Sequence, residues 1–242
     1  MTFPEYFQKI NISHAFQPII DIDEKKIVSY EVLIRGGDGE PPYMVFDKVD
    51  KCDFNLFDQY SREKAIELAQ KLGVNTELNF NFSPSAVTFN GGEFIERTLL
   101  KAEQYGFDHR KLIIEVTENE EIYNKNHLAS ILNIIKQDGV NIAIDDFGSG
   151  YAGLNMLINV KPEVLKLDID LIRDIHKNGA KQSVVRAVCE VCLELGIDVL
   201  AEGVEKEEEF KFLRNIDISL YQGYLFAKPG FASLPKVDFS NL

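Results

Sequence analysis

The chain has 242 residues, of which 45% are hydrophobic, and its formal net charge is −13. This length allows one large core, and a barrel of eight β/α units typically takes ~250 residues. The negative charge argues against a nucleic acid polymer or an anionic membrane as partner, because both attract basic proteins. It does not exclude an anionic substrate, since bound metal ions reverse the local field.

Targeting signals and disulfides are not evident in the sequence. No apolar run reaches the ~20 residues of a membrane helix, and residues 1–11 lack a signal-peptide pattern. The odd number of cysteines, three, favours a reducing cytoplasm. Cys189 and Cys192 form a CxxC, but no second CxxC and no histidine cluster accompanies it. We therefore interpret this pair as part of a helix and not as a zinc or redox site.

The first predicted elements are two strands, residues 14–21 and 27–35, joined by a short polar turn. So short a link predicts an antiparallel hairpin. Residues 36–42, with the sequence GGDGEPP, are predicted to form a loop. Apolar residues at helical spacing predict a helix over residues 57–72 that ends at Gly73.

From residue 77 onward, predicted strands alternate with predicted helices. The strands are 77–83, 112–117, 141–146, 164–168, 198–201 and 219–226; the helices are 93–105, 127–137, 180–195 and 207–213, with a short helical piece at 154–158. Several strands are continuous apolar runs, as in a parallel sheet covered on both faces. The pattern predicts an α/β fold, a single (β/α)8 TIM-like barrel over residues 1–242 whose first strand is antiparallel.

Residues 141–150, with the sequence NIAIDDFGSG, place two adjacent carboxylates where an apolar strand ends. Side chains alternate along a regular strand, so Asp145 and Asp146 converge only if the backbone turns there. Carboxylates held close together repel each other, and a divalent cation between them removes that cost. An Asp-rich turn without metal explains this segment equally well.

Polar side chains also occur at the end of nearly every other predicted strand, and in a barrel these ends share one face. Taken singly, such an acid is more often solvated or a helix N-cap, and Lys166 could simply pair with one. Their coincidence predicts one shared site, because buried charge is costly unless it is paired or bound to metal. Oxygen ligands favour Mg²⁺ or Mn²⁺ over zinc or copper, and the candidates are Glu31, Asn81, Glu115, Asp145 and Asp146.

Eight motifs, in order, give the chain a resemblance to the EAL domain, a phosphodiesterase family that cleaves cyclic di-GMP. The family's name motif, of the form ExLxR, is EVLIR at residues 31–35. The others are FQPI (16–19), NFS (81–83), EVTE (115–118), DDFGSG (145–150), LKLD (165–168), AEGVE (201–205), and QGY (222–224) with KP (228–229). A lone ExLxR is weak evidence, whereas eight ordered motifs are specific.

The resemblance implies a metal site and a set of catalytic residues. The five oxygen-bearing candidates would hold one or two Mg²⁺ or Mn²⁺ ions. Lys166 would hold or help to deprotonate the attacking water, and Gln222 would orient the water or the substrate. Glu202 would be either a general base or a ligand near the second metal. These residues match the motifs position by position.

The resemblance also implies substrate contacts and a homodimer. Gln17 and Arg35 would face the nucleotide, with Asp168 as a further substrate-binding residue. Glu118 would anchor the loop after Asp146, which the family uses for metal binding and for contacts between dimer partners. The segment after Arg35 is shorter than usual in the family, as in a subgroup often attached to light-sensing flavin domains. No flavin domain or diguanylate cyclase domain is found in these 242 residues.

The implied reaction is metal-dependent hydrolysis of cyclic di-GMP to linear pGpG. Phosphodiester hydrolysis needs an in-line nucleophile and neutralised charge on oxygen, and two metal ions supply both. A rival hypothesis is a catalytically silent cyclic di-GMP receptor or protein-binding module on the same fold. We favour the enzyme because silent members usually lose a metal ligand or the lysine, and every such position is filled here. A metal-dependent enzyme that acts on another phosphoester stays open as a third possibility.

Overall fold

Eight strands close into a barrel in the computed structural model, which describes residues 2–117, 125–149, 153–240 and 242. The strands are β1 (Ile12–Asp21), β2 (Lys26–Gly36), β3 (Glu77–Phe82), β4 (Leu112–Thr117), β5 (Asn141–Phe147), β6 (Val164–Leu167), β7 (Asp198–Ala201) and β8 (Leu220–Tyr221). Strand β1 is antiparallel to both β2 and β8, and the strands from β2 to β8 are parallel to their neighbours. The predicted TIM-like barrel with an antiparallel first strand is confirmed.

Helices lie between the strands along the chain. They are α1 (Pro42–Phe46), α2 (Phe54–Leu72), α3 (Pro84–Thr88), α4 (Glu93–Gln104), α5 (Lys125–Gln137), α6 (Gly153–Val160), α7 (Ile169–Ile172), α8 (Gly179–Leu195) and α9 (Glu207–Arg214). Helix α2 ends at Gly73, as predicted, because a residue with φ of 71° there closes the last turn. Within the described ranges, no helix combines the length and the apolar character needed to cross a bilayer.

The main core lies between the barrel and the surrounding helices. On β3, Leu78, Phe80 and Phe82 join this core, while the alternating Asn79 and Asn81 contact carboxylates inside the barrel. A separate small apolar cluster packs the N-terminal segment against α1 and α2. The strand alternation therefore directs polar side chains to the barrel interior, where the site is built.

The structure corrects several of the sequence-based boundaries and adds elements that were not predicted. The predicted strand at 219–226 pairs only over Leu220–Tyr221, because the chain then turns at Gly223, where an added Cβ would lie 2.1 Å from the carbonyl oxygen of Val204. The predicted loop at 36–42 ends in the first residue of α1, since proline suits the first position of a helix. Helices α1, α3 and α7 and the ninth strand β9 (Gly230–Phe231) were not predicted.

Candidate active site

The end of β5 brings its two adjacent carboxylates to the same side of the barrel. The pairing of β5 with β6 shifts between Ile144 and Phe147, so one extra residue lies on β5. Asp146 takes up this extra length with a positive φ of 56°, and its N–H donates to Asp145 Oδ1 at 3.0 Å. Oxygens of Asp145, Asp146 and Glu202 all lie within 4.8 Å of one another. The local bulge is therefore what lets the two neighbours converge.

Lys166, on β6, lies at the centre of the site with only 1% of its surface exposed. Its Nζ lies 2.8 Å from Glu115 Oε1, 2.9 Å from Asp145 Oδ1 and 2.7 Å from Glu202 Oε1. Burial acts to lower the pKa of Lys166, but these carboxylates outweigh it and raise the pKa well above its ordinary value. The side chain of Lys166 is therefore a buried cation that stays protonated.

The negative charge around this single ammonium group exceeds its positive charge. Burial raises the pKa of Glu115 to about 8, against the opposing effect of Lys166, and burial raises the pKa of Glu202 well above its usual range. Burial and the neighbouring Asp145 raise the pKa of Asp146 to about 6. Among the residues that the structure describes, the buried Glu115 Oε2 has no hydrogen-bond partner. The site therefore has an electrostatic demand for a further cation.

Two amide side chains hold Glu31, the acid of β2, from both sides. Asn81 Nδ2 donates to Glu31 Oε1 at 2.9 Å, and Gln222 Nε2 donates to Glu31 Oε2 at 2.7 Å. Oxygens of Glu31, Glu115 and Asp145 lie within 4.8 Å of one another. This second group of oxygens shares Asp145 with the first, so the two groups form one continuous oxygen-rich centre that suits hard divalent cations.

A cavity of about 450 Å³ opens above this centre. Its lining includes Gln17, whose Nε2 donates to the carbonyl of Ala227 at 3.5 Å. Asp168 also lines it, although its Oδ1 accepts from Asp170 N–H at 2.7 Å as the N-cap of α7. Arg35, half-buried, donates to the carbonyl of Ile34 and is not among the described residues that line the cavity. Glu118 lies outside the described residues, so its role stays a prediction.

Two residues that contact the site were missed by the sequence analysis. Asn79 Nδ2 donates to Glu115 Oε1 at 2.8 Å, and Arg62 Nη1 donates to the carbonyl of Asn81 at 3.0 Å. The sequence did carry a signal for Asn79, because it alternates with Asn81 and so shares its face of the strand. It carried none for Arg62, since helical periodicity does not reveal which strand a helix side chain contacts.

The CxxC pair lies on α8, away from this centre. Cys192 is buried and Cys189 is half-buried, and burial raises the pKa of the two thiols to about 12 and about 11. Thiols in this state stay protonated and are poor metal ligands. The possible metal-binding groups found in the described part of the chain contain no cysteine. These findings agree with the interpretation of the pair as part of a helix.

Comparison with known families identifies the family to which this chain belongs. A family model described as the EAL domain matches residues 3–229. The chain belongs to the EAL domain family. This EAL domain resembles the crystal structure of a standalone EAL protein from Vibrio cholerae O395 in its c-di-GMP bound form, with 42% identity and a TM-score of 0.89 over 96% of this chain and 98% of that chain. It also resembles the manganese/c-di-GMP complex of Klebsiella pneumoniae BlrP1 at pH 9.0, with 33% identity and a TM-score of 0.89 over 97% of this chain and 60% of that one.

Two curated relatives of the EAL domain carry names of different kinds. The blue light- and temperature-regulated antirepressor BluF of Escherichia coli is 28% identical over 229 residues, which are 94% of this chain and 57% of BluF. The cyclic di-GMP phosphodiesterase PdeR of Escherichia coli is 35% identical over 161 residues, 64% of this chain and 24% of PdeR. The chain thus spans little more than half of the one relative and a quarter of the other. The match to a blue-light-regulated protein agrees with the predicted subgroup.

Proposed function

We propose that this EAL domain hydrolyses cyclic di-GMP to linear pGpG in a reaction that depends on divalent metal ions. The observation that carries the proposal is the buried lysine surrounded by four carboxylates, three of which line an open cavity. The relatives support it, since two similar structures contain c-di-GMP, one of them with manganese.

The residues of the centre fit one or two Mg²⁺ or Mn²⁺ ions. The surplus of negative charge and the unpartnered Glu115 Oε2 are the features that a hard cation would satisfy. The ligands would be Glu31, Asn81, Glu115, Asp145 and Asp146. Bound ions of this kind neutralise charge on a phosphate and lower the pKa of a bound water. Calcium and manganese are the ions named in the similar BlrP1 complexes, and magnesium is our extension to this chain.

The chain's own side chains would orient the reacting groups. The raised pKa of Lys166 keeps its Nζ protonated, so we infer that it holds the attacking water by donating a hydrogen bond. Glu202, 2.7 Å from that Nζ, would be the base or a further ligand. Gln222 would orient Glu31 through its hydrogen bond, and through it the water or the substrate.

The cavity rim would bind the nucleotide. Gln17 and Asp168 line the cavity, and Arg35 is half-buried and interacts electrostatically with Tyr224, which also lines it. We therefore assign Gln17 and Asp168 to direct contact with the substrate. Arg35 would reach the substrate only after its side chain leaves the carbonyl of Ile34.

A second candidate function is binding without hydrolysis, as a receptor or a protein-binding module. The observation that favours it is the name of BluF, which describes an antirepressor. The test is to incubate the purified chain with cyclic di-GMP and Mn²⁺ or Mg²⁺, with an EDTA control, and to separate the products by chromatography. We expect pGpG with metal and none with EDTA. A chain that binds both metal and cyclic di-GMP but never releases pGpG would support the receptor.

We further propose that residues 1–242 act as one domain, that this domain forms a homodimer and that it works in the cytoplasm. Exposed apolar residues on α6 and α8 support the dimer: Leu154, Ile158, Val184 and Val191. The three free cysteines support the location. Light scattering should give twice the chain mass, and Ile158→Glu should reduce it. A parent chain that is monomeric at all tested concentrations contradicts the dimer.

A further inference from the structure

The side chain of Asn79 lies inside the barrel, directly beneath the carboxylate centre. It is on β3, in register with Glu31 of β2 and with Ile113 of β4, and only 3% of its surface is exposed. Its Nδ2 donates to Glu115 Oε1 at 2.8 Å. Asn79 therefore contacts one carboxylate of the centre but belongs to none of the motifs that identify the family.

The two oxygens of Glu115 are in different situations. Oε1 accepts the Asn79 hydrogen bond and lies 2.8 Å from Lys166 Nζ, so it is held from two directions. Oε2 is buried and has no hydrogen-bond partner among the described residues. A carboxylate held through one oxygen has its plane fixed, and the other oxygen is then presented in a constant direction.

The burial of Asn79 is itself costly. Its Oδ1 is also buried without a hydrogen-bond partner in the described part of the chain, and an unsatisfied buried amide oxygen costs free energy. An apolar side chain would fill the same space without this cost. Among the residues that the structure describes, Glu115 is the hydrogen-bond partner of the Asn79 side chain, and this contact explains an amide at this position.

We propose that Asn79 is a positioning residue that holds Glu115 with its Oε2 available to a divalent metal ion. This inference rests on the proposed metal-dependent function. Hydrogen-bond partners of metal ligands orient them, and replacing such a partner typically weakens metal binding by ~10–100-fold.

The test measures Mn²⁺ binding to Asn79→Leu by electron paramagnetic resonance of free Mn²⁺. Leucine keeps most of the volume and removes the donor, so we expect the Mn²⁺ dissociation constant to rise ~10–100-fold. In Asn79→Ser the shorter side chain cannot reach Glu115, so this variant should show the same loss of Mn²⁺ affinity. It replaces the leucine variant in the test if the leucine variant does not fold. An affinity equal to that of the parent in a folded variant overturns the inference.

Thr98→Val is the matched control. The buried hydroxyl of Thr98 donates to Gln59 Oε1 at 3.1 Å, between α4 and α2, so its removal costs a buried hydrogen bond outside the centre. We expect Thr98→Val to lower the melting temperature in EDTA while it binds Mn²⁺ like the parent. A comparable loss of Mn²⁺ affinity in Thr98→Val would mean that the effect of the Asn79 substitution comes from general destabilisation of the fold. That result would overturn the inference.

A double-mutant cycle tests whether Asn79 acts through Glu115. In a Glu115→Gln background, adding Asn79→Leu should change the Mn²⁺ dissociation constant less than ~2-fold, because the group it orients has lost its ligand charge. If the two substitutions weaken Mn²⁺ binding independently, so that their effects on the dissociation constant multiply, the inference is overturned while the proposed metal site stands. A parent chain that binds no Mn²⁺ would instead overturn the proposed metal site itself.

Discussion

Two acid-rich clusters in this EAL domain have the residue types of a metal site. One is the centre around Lys166. The other is formed by Asp174, His176 and Glu209, whose potential ligand atoms also lie within 4.8 Å of one another. In the second cluster, Glu209 Oε1 accepts from Asp174 N–H at 2.8 Å, and Oε2 accepts from Lys206 N–H at 3.1 Å. Asp174 Oδ1 lies 2.6 Å from Lys206 Nζ.

The difference between the clusters lies in how their carboxylates are satisfied, since His176 Nδ1 of the second cluster is also buried without a hydrogen-bond partner in the described part of the chain. Glu209 is surrounded by backbone N–H groups at the start of α9, where a carboxylate is stabilised by capping. Around Lys166, four carboxylates share one ammonium group, and Glu115 Oε2 has no hydrogen-bond partner among the described residues. Proximity of acids therefore does not by itself predict metal binding, and the unmet demand for positive charge is the informative feature.

The largest effect expected from the contrast between the two clusters is a loss of catalysis when Lys166 is replaced. Lys166→Ala should reduce turnover of cyclic di-GMP by ~10²–10⁴-fold, because a positioned proton donor acts mainly in the chemical step. Nucleotide binding should persist, since the cavity rim and the carboxylates remain. Melting temperature, nucleotide affinity and product formation are measured on the same variant. A folded variant that cleaves at the parent rate would contradict a catalytic role, and loss of folding or metal loading would indicate that Lys166 only neutralises the acids.

The next effect separates the two clusters by metal affinity. Glu115→Gln should weaken Mn²⁺ binding by at least ~10-fold, yet leave the metal-free protein at least as stable, because it removes a buried and repelled carboxylate. Glu209→Gln should do the opposite. The variant should be about 2 kcal/mol less stable, because it removes the charge that accepts the backbone N–H groups. Its Mn²⁺ affinity should equal that of the parent. Urea unfolding in EDTA and Mn²⁺ titration measure both. Loss of Mn²⁺ affinity in Glu209→Gln would make the second cluster a metal site as well.

A smaller effect concerns pH. The pKa of Glu115 is raised from 4.5 to about 8, so the folded protein binds more protons than the unfolded chain between these values. Stability without metal should therefore fall as pH rises from 4.5 to 8, and Mn²⁺ affinity should rise over the upper part of this range by up to ~10-fold per pH unit as the proton is displaced. Melting in EDTA and Mn²⁺ titration across this range provide the measurement. Glu115→Gln should make both profiles shallower, with a residual slope from Asp146 and Glu202, whose pKa values are also raised. An unchanged slope in that variant would assign the proton to another group.

The smallest effect is expected at the surface of the second cluster. Lys206→Ala removes the ion pair with Asp174, but both side chains are about half exposed. Solvent screens such a pair, so the melting temperature should change by less than ~2 °C and cyclic di-GMP turnover should stay at the parent level. Differential scanning calorimetry and the product assay check this. A large loss of turnover would mean that this pair positions the neighbouring cavity residues.

The sequence by itself determined the barrel, its antiparallel first strand and the residues of the centre. Continuous apolar runs alternating with amphipathic helices allow few architectures, and parallel strands must end on the same face. That rule was enough to expect Glu31, Glu115 and Asp145 near one another, and the structure brings them within 4.8 Å. Local periodicity and chain topology carry this information without knowledge of any side-chain contact.

Only the tertiary structure decided which hydrogen bonds and ion pairs these residues make. The bulge after Ile144, the ion pairs of Lys166 and the hydrogen bond from Asn79 to Glu115 join positions on different strands. The cluster at Glu209 likewise depends on tertiary contacts, because it joins the segment after α7 to the start of α9. Whether a buried carboxylate is neutralised by backbone N–H groups, by an ammonium group or by a metal ion depends on distances of a few ångströms between elements, and residue spacing along the chain does not specify those distances.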